Sequence, residues 1–268
     1  MILFIVFIFG LIIGSFLNAC IWRLNVGRSV LHGRSVCTFC DHVLAWHDLI
    51  PLLSFLHLKG LCRYCQKPIS LQYPLVELAT GILFAFVYFV HIPSVLGSST
   101  FFVIPHLMRD PEFFFVLRDW FFVSILIVIF VYDFYWKQIL DVITLPAIAI
   151  SFFVNDTLGV DWKSMLFAGV IGGGFFLLQY LLSKGTWIGD GDIRLGFLMG
   201  VMVGFPAILL ALFFAYCVGA LVAVSMMLFG KAGPKSAIPF GPFLSGATIV
   251  MLLYGEPMLQ FLKPYYAL

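Results

Sequence analysis

Residues 189–229 read GDGDIRLGFLMGVMVGFPAILLALFFAYCVGALVAVSMMLF. Two carboxylates, Asp190 and Asp192, stand between glycines, and beyond Arg194 no charged residue appears before Lys231. An apolar run of this length reads as membrane helix. Ionisable groups at membrane depth are costly and mark function by default. A second acidic pair, Asp133 and Asp141, flanks the end of an earlier apolar run. The fold that these stretches dictate is a polytopic membrane frame, and the question is which carboxylates it brings together.

The rest of the chain agrees. Of its 268 residues, 62% are hydrophobic and only 10% charged, against about 25% charged in a soluble domain. Mean hydropathy is +1.09. The apolar runs are continuous rather than alternating, which excludes a membrane barrel. Phenylalanine occurs 31 times, a residue suited to lipid-facing surface. The spans fall at 2–22, 75–93, 115–132, 142–157, 164–183, 193–204, 206–229 and 241–255, about eight transmembrane helices in an all-α fold. The sixth and seventh meet around Gly204-Phe205-Pro206. Residues 101–108 are apolar too, but Pro105, His106 and Arg109 mark an interfacial piece. The first span has no basic region before it and no small-x-small cleavage site, so it is expected to stay uncleaved. Leu17-Asn18-Ala19-Cys20 resembles a lipoprotein cleavage box, a reading that the missing basic region disfavours.

Lys and Arg set the orientation. With residues 23–74 in the cytoplasm, eleven of the fifteen basic residues fall in inside segments, and Arg109, Arg118, Lys163 and Lys263 fall outside. Both acidic pairs then lie on the cytoplasmic side. The bilayer is the expected partner and nucleic acid is not.

Residues 23–74 form the one sizeable polar region, too small to fold robustly without a staple. Cys37-Thr38-Phe39-Cys40 and Cys62-Arg63-Tyr64-Cys65 supply one, since two C-x-x-C knuckles fit a four-thiolate zinc site. Four unconnected reduced thiols are the alternative, and disulfides are disfavoured in the cytoplasm. His32, His42, His47 and His57 lie nearby and read as surface or supporting groups. Cys20 and Cys217 sit in spans and read as small buried hydrophobes. The domain plan is therefore a first helix at 1–22, a zinc-stapled insert at 23–74 and a seven-helix membrane domain at 75–268. Gly196, Gly200 and Gly204 recur every fourth residue, and Gly172-Gly173-Gly174 precede them, as close helix packing requires. Pro239-Phe240-Gly241-Pro242 implies a bent or re-entrant start to the last span.

Asp133 and Asp141 are eight residues apart, so on a continuous helix they return to within about 80° of each other. Asp190 and Asp192 diverge by roughly 200°, so only one faces a given partner. One carboxylate from each pair, sharing a proton, would suit aspartyl proteolysis. Helix capping, pairing with Lys137 and Arg194, or ion coupling in a transporter use the same residues.

The motifs resemble those of the bacterial prepilin peptidases (type IV leader peptidases) of the GxGD aspartyl protease group. Gly14-Ser15-Phe16-Leu17-Asn18 is similar to the signature closing their first span. The paired cysteines follow, with Trp46, Ile50-Pro51 and Leu58-Lys59-Gly60 between them. Ile69-Ser70 and Tyr73-Pro74-Leu75-Val76-Glu77, then Asp133, Gly189-Asp190-Gly191-Asp192 and Ile238-Pro239-Phe240-Gly241-Pro242 complete the match. The resemblance implies Asp133 and Asp192 as catalytic, with Gly189, Gly191, Asp141 and Arg194 supporting. It implies a prepilin or pseudopilin substrate with a basic leader, a glycine at the cut and an apolar helix beyond, processed at the cytoplasmic face of the bacterial inner membrane. It further implies N-methylation of the new terminus with S-adenosylmethionine, associated with Gly60 and Glu77. A peptidase without methylation is the alternative. Two departures stand out: Ile139-Leu140-Asp141 replaces the family's Ile-Pro-Asp, and Leu49 replaces an Asn.

Overall fold

The computed structural model describes residues 1–30, 32–92, 111–230, 233 and 238–266. The expected interfacial piece at 101–108 lies outside these, as do Arg109, Lys231 and Lys235 of the orientation argument.

In hydrocarbon every backbone polar group needs an internal partner, so each apolar run closes into a helix. Among the described residues, a helix occupies each of the eight expected spans. They are α1 (Ile2–Asn25), α3 (Gln72–His91), α4 (Pro111–Trp136), α5 (Asp141–Thr157), α6 (Trp162–Ser183), α7 (Asp190–Val203), α8 (Ala207–Leu228) and α9 (Gly241–Tyr266). The short α2 (Leu53–His57) lies in the insert. Six of the eight are long and apolar enough to cross a membrane; α5 and α7, at 17 and 14 residues, are shorter. The protein is a multi-pass membrane protein. Its outward-facing side chains fit this: on α8, Phe213, Leu221 and Leu228 are exposed, as a lipid-facing helix requires.

The chain divides into two compact units, residues 1–128 and 129–268. In the first, α1 packs along α3. Gly10 and Gly14 make this possible: a methyl on Gly10 would sit 2.8 Å from the Cα of Gly81, and one on Gly14 2.7 Å from the Cα of Glu77. Buried Arg23, in the last turn of α1, donates to the carbonyls of Val30 and Gly33, each at 2.8 Å, and so fixes how the chain leaves the membrane.

In the second unit α7 packs against α6, α5 and α9. Gly196 and Gly200 lie against Gly172 and Ala168 of α6, so close that no side chain fits. Gly204 departs from the expected stripe. Its φ of +71° ends α7 instead, which resolves the boundary before Ala207. The turn between α4 and α5 also departs from a continuous helix, because Lys137 adopts a left-handed φ of +54° and Leu140 is extended. Asp141 thus starts a new helix, and the 80° relation to Asp133 does not apply. Residues 238–240 are non-helical before α9 begins at Gly241, an unwound approach packed on protein.

Candidate active site and thiolate cluster

A cleft of about 810 Å³ in the second unit collects both acidic pairs, Asp133 with Asp141 and Asp190 with Asp192. Asp133 reaches it from the last turn of α4 and is 5% exposed. The Gly241 backbone N–H donates to its Oδ2 at 2.8 Å. Asp192 reaches it from the first turn of α7, half-buried, where it feels the charge of Asp133.

The local sequence explains this placement. Gly189 is the N-cap of α7 in extended conformation (φ −73°, ψ 155°), and its carbonyl accepts the Asp192 N–H at 3.3 Å. Gly191 is buried against Ile139, where a methyl would lie 2.8 Å from the Ile139 Cβ. Only glycine lets the start of α7 press on the 137–140 turn. Asp190, also at the cleft, pairs with Arg194 four residues on, and Arg194 also pairs with Asp141. Arg194 therefore ties the first turn of α7 to the first turn of α5. Tyr216 and Gln179, hydrogen-bonded at 3.0 Å, also line the cleft. Nothing in sequence spacing singles them out. Chemically the cleft offers two interacting carboxylates at unequal depth, a polar wall and room for a peptide segment.

In the first unit the four cysteines converge. The Sγ atoms of Cys37, Cys40, Cys62 and Cys65 lie within 4.8 Å of one another, with Cys37 and Cys65 at 3.9 Å. Each knuckle is closed by one antiparallel bridge, Val36 to Val43 and Leu61 to Pro68. Each also carries a left-handed residue at its tip, Asp41 (φ +53°) and Gln66 (φ +59°). The two knuckles are copies of one turn. All four thiols are free, and no histidine joins the cluster among the described residues. His42 stacks on Tyr64 instead, 3.6 Å between centroids. Burial raises the Cys37 thiol, but backbone N–H groups of Phe39 and Cys40 and the neighbouring thiols pull it down to about 7. Cys65 goes the other way. A backbone hydrogen bond at Lys67 lowers it, but burial and the thiols of Cys62, Cys40 and Cys37 carry it up to about 11. The Asp48 carboxylate links the two halves of the insert, accepting from the Ala45 N–H, Arg63 and Tyr64.

Gly60 and Glu77 serve the same unit. Gly60 takes a φ of +73° over the Phe55 ring, and both its backbone groups are engaged, with Phe55 and Ile69. Glu77, 7% exposed on α3, accepts the Leu52 N–H at 2.9 Å.

Fold and cleft together define an all-helical membrane protein with a carboxylate-lined site and a cysteine-stapled insert. Two family models match it: a bacterial peptidase A24 N-terminal domain over residues 8–91, and the type IV leader peptidase family over residues 120–224. Among curated proteins it is similar to the prepilin leader peptidase/N-methyltransferase of Bacillus subtilis, 30% identical over 96% of both chains. The enzyme of that name from Myxococcus xanthus is 35% identical over 87% of this chain and 67% of its own. That from Aeromonas hydrophila is 29% identical over 96% and 92%. No solved structure matches. The chain belongs to the type IV leader peptidase family.

Proposed function

We propose that this protein is an aspartyl endopeptidase that removes the basic leader of type IV prepilins or pseudopilins, and that it also N-methylates the new terminus. The observation that carries the reading is a single cleft lined by two carboxylates, Asp133 and Asp192, in a chain of this family. Two such groups share one proton. The ionised aspartate takes a proton from water, and the oxygen attacks the scissile carbonyl. The protonated aspartate donates to the carbonyl oxygen. Proton transfer to the leaving amine then completes hydrolysis. Gly191 lets the backbone that carries Asp192 press on the 137–140 turn and Gly189 is the N-cap of its helix, while Asp141 and Arg194 brace it. The excess of Lys and Arg on one side supports an inner-membrane protein with insert and cleft facing the cytoplasm.

The insert, residues 23–74, is proposed to bind structural zinc. Tetrahedral coordination at about 2.3 Å sets sulfurs about 3.8 Å apart, close to the observed Cys37–Cys65 separation of 3.9 Å. Zinc would clamp the two knuckles together and has no part in hydrolysis. The methylation reading rests on the names of the relatives, and S-adenosylmethionine is the donor it requires. The polar groups of Gly60 and Glu77 already have partners in the structure. Their proposed part in methylation is to shape and anchor the insert.

The test is mass spectrometry of a purified prepilin incubated with the protein in liposomes, with and without S-adenosylmethionine. Loss of the leader, plus one methyl when the donor is present, is expected. Leader loss with an unmodified terminus leaves a peptidase only. An intact prepilin together with ion-dependent flux overturns the reading in favour of a transporter.

A further inference from the structure

The stretch matched by the type IV leader peptidase family model stops at residue 224, yet the cleft is completed by residues beyond it. Gly241, the first residue of α9, contacts Asp133 across 108 positions of sequence, and the bond is buried. Helix N-termini leave orphan N–H groups. In α9 these are allotted in a particular way. Phe243 and Leu244 both donate to the Phe240 carbonyl, at 3.0 and 3.2 Å. Pro242 has no N–H. Of these first-turn donors, Gly241 alone points at the Asp133 carboxylate, with the positive end of the helix dipole behind it.

The approach also demands glycine. A methyl on Gly241 would stand 2.7 Å from Asp133 Oδ2 and 3.0 Å from its carboxyl carbon. The preceding residue is held by an aromatic bracket. Phe240 meets Tyr216 edge-on at 4.9 Å and Phe176 at 6.2 Å. The N–H is thereby delivered from a fixed direction.

We propose that Gly241 is the positioning residue for Asp133. Its backbone N–H locks one carboxylate oxygen, leaving the other to face the cleft, and its missing side chain is what lets α9 come this close. The inference rests on Asp133 being one half of the catalytic pair. It adds a sequence requirement from the last helix to a site otherwise built from α4 and α7.

The experiment uses the full chain in nanodiscs with a prepilin substrate. Gly241→Ala is expected to lower kcat on the order of 100-fold while KM stays within roughly threefold, because a misplacement of about 1 Å at the reacting group acts on the chemical step. Gly246→Ala, on the same helix with open space around it, is expected to match the wild type. Unchanged kcat in Gly241→Ala overturns the proposal. So does a parallel fall in kcat, apparent affinity and thermal midpoint, which is the mark of a purely structural residue. If Gly241→Ala does not fold, Phe240→Leu loosens the bracket while keeping the N–H. It is expected to lower kcat roughly tenfold with KM unchanged, and wild-type kcat there overturns the proposal. Asp133→Asn run alongside separates the two claims. An inactive Asp133→Asn with an active Gly241→Ala overturns only the positioning role, whereas an active Asp133→Asn overturns the catalytic pair as well.

Discussion

The two glycines of Gly189-Asp190-Gly191-Asp192 look alike in sequence and differ in their surroundings, so alanine at each should have very different consequences. At Gly191 a methyl would lie 2.8 Å from the Cβ of Ile139 and 3.5 Å from its carbonyl oxygen. Carbon–carbon contacts relax at about 3.5–4.0 Å, so the start of α7 must retreat from the 137–140 turn by about 1 Å. Overpacking of this kind costs about 1–3 kcal/mol. The larger effect falls on chemistry, because Asp192 is the next residue and moves with the backbone. A displacement of about 1 Å can cost on the order of 100-fold in rate. At Gly189 the nearest atom to an added methyl is 3.8 Å away, an ordinary contact, and φ −73°, ψ 155° suits any residue. Gly191→Ala is therefore expected to lower kcat for leader removal about 100-fold, while Gly189→Ala stays within about threefold of wild type. Time courses of prepilin cleavage in nanodiscs, with thermal unfolding alongside, measure both. Equal losses in the two variants, or an active Gly191→Ala, would refute the reasoning from the Ile139 contact.

Asp190 is 69% exposed in its pairing with Arg194, and such surface pairs contribute about 0–1 kcal/mol. Asp190→Asn should thus keep near-wild-type kcat, and a loss above about tenfold would contradict the view that its pair with Arg194 contributes little. Cys37→Ser or Cys62→Ser should reduce bound zinc, read by metal analysis of the purified protein, to well below one equivalent, and make the 23–74 insert sensitive to limited proteolysis. For Asp48, burial opposes ionisation, but hydrogen bonds from Arg63, Tyr64 and the Ala45 N–H hold the carboxyl below its usual range. A depressed folded-state pKa stabilises fully above the unfolded value of about 4, and the contribution is lost as pH falls through the folded value. Asp48→Asn should therefore loosen the insert at pH 7 by about 1.5 kcal/mol, the low end for a charged hydrogen bond because Arg63 is partly exposed. Hydrogen exchange of the insert should show the gap from wild type closing below about pH 4; a gap that widens there would contradict the sign.

The helices were legible because lipid leaves a chain few choices, and continuous apolar runs such as 206–229 have only one closed form. The cysteine clamp was legible from two repeated spacings, which the structure shows as two copies of one turn. The site was less so. Nothing local ties Asp133 to Asp192, and motif resemblance, not spacing, paired them. The helical argument for Asp133 and Asp141 fails because Lys137 turns left-handed, a conformation with no sequence signal here. Gly10 and Gly14 carry the same four-residue spacing as Gly196 and Gly200, and that spacing would have marked the α1–α3 contact. The Gly241–Asp133 bond and the Tyr216–Gln179 pair join distant helices through tertiary packing, which no periodicity encodes.

The central claim is that Asp133 and Asp192 act as one catalytic pair. Its most direct test is leader removal from a co-expressed prepilin by Asp192→Asn, an isosteric change that keeps the half-buried side chain and removes its acid. The account predicts an uncleaved prepilin beside a folded, zinc-loaded protein, and the same for Asp133→Asn. A correctly cleaved pilin from either variant would contradict it.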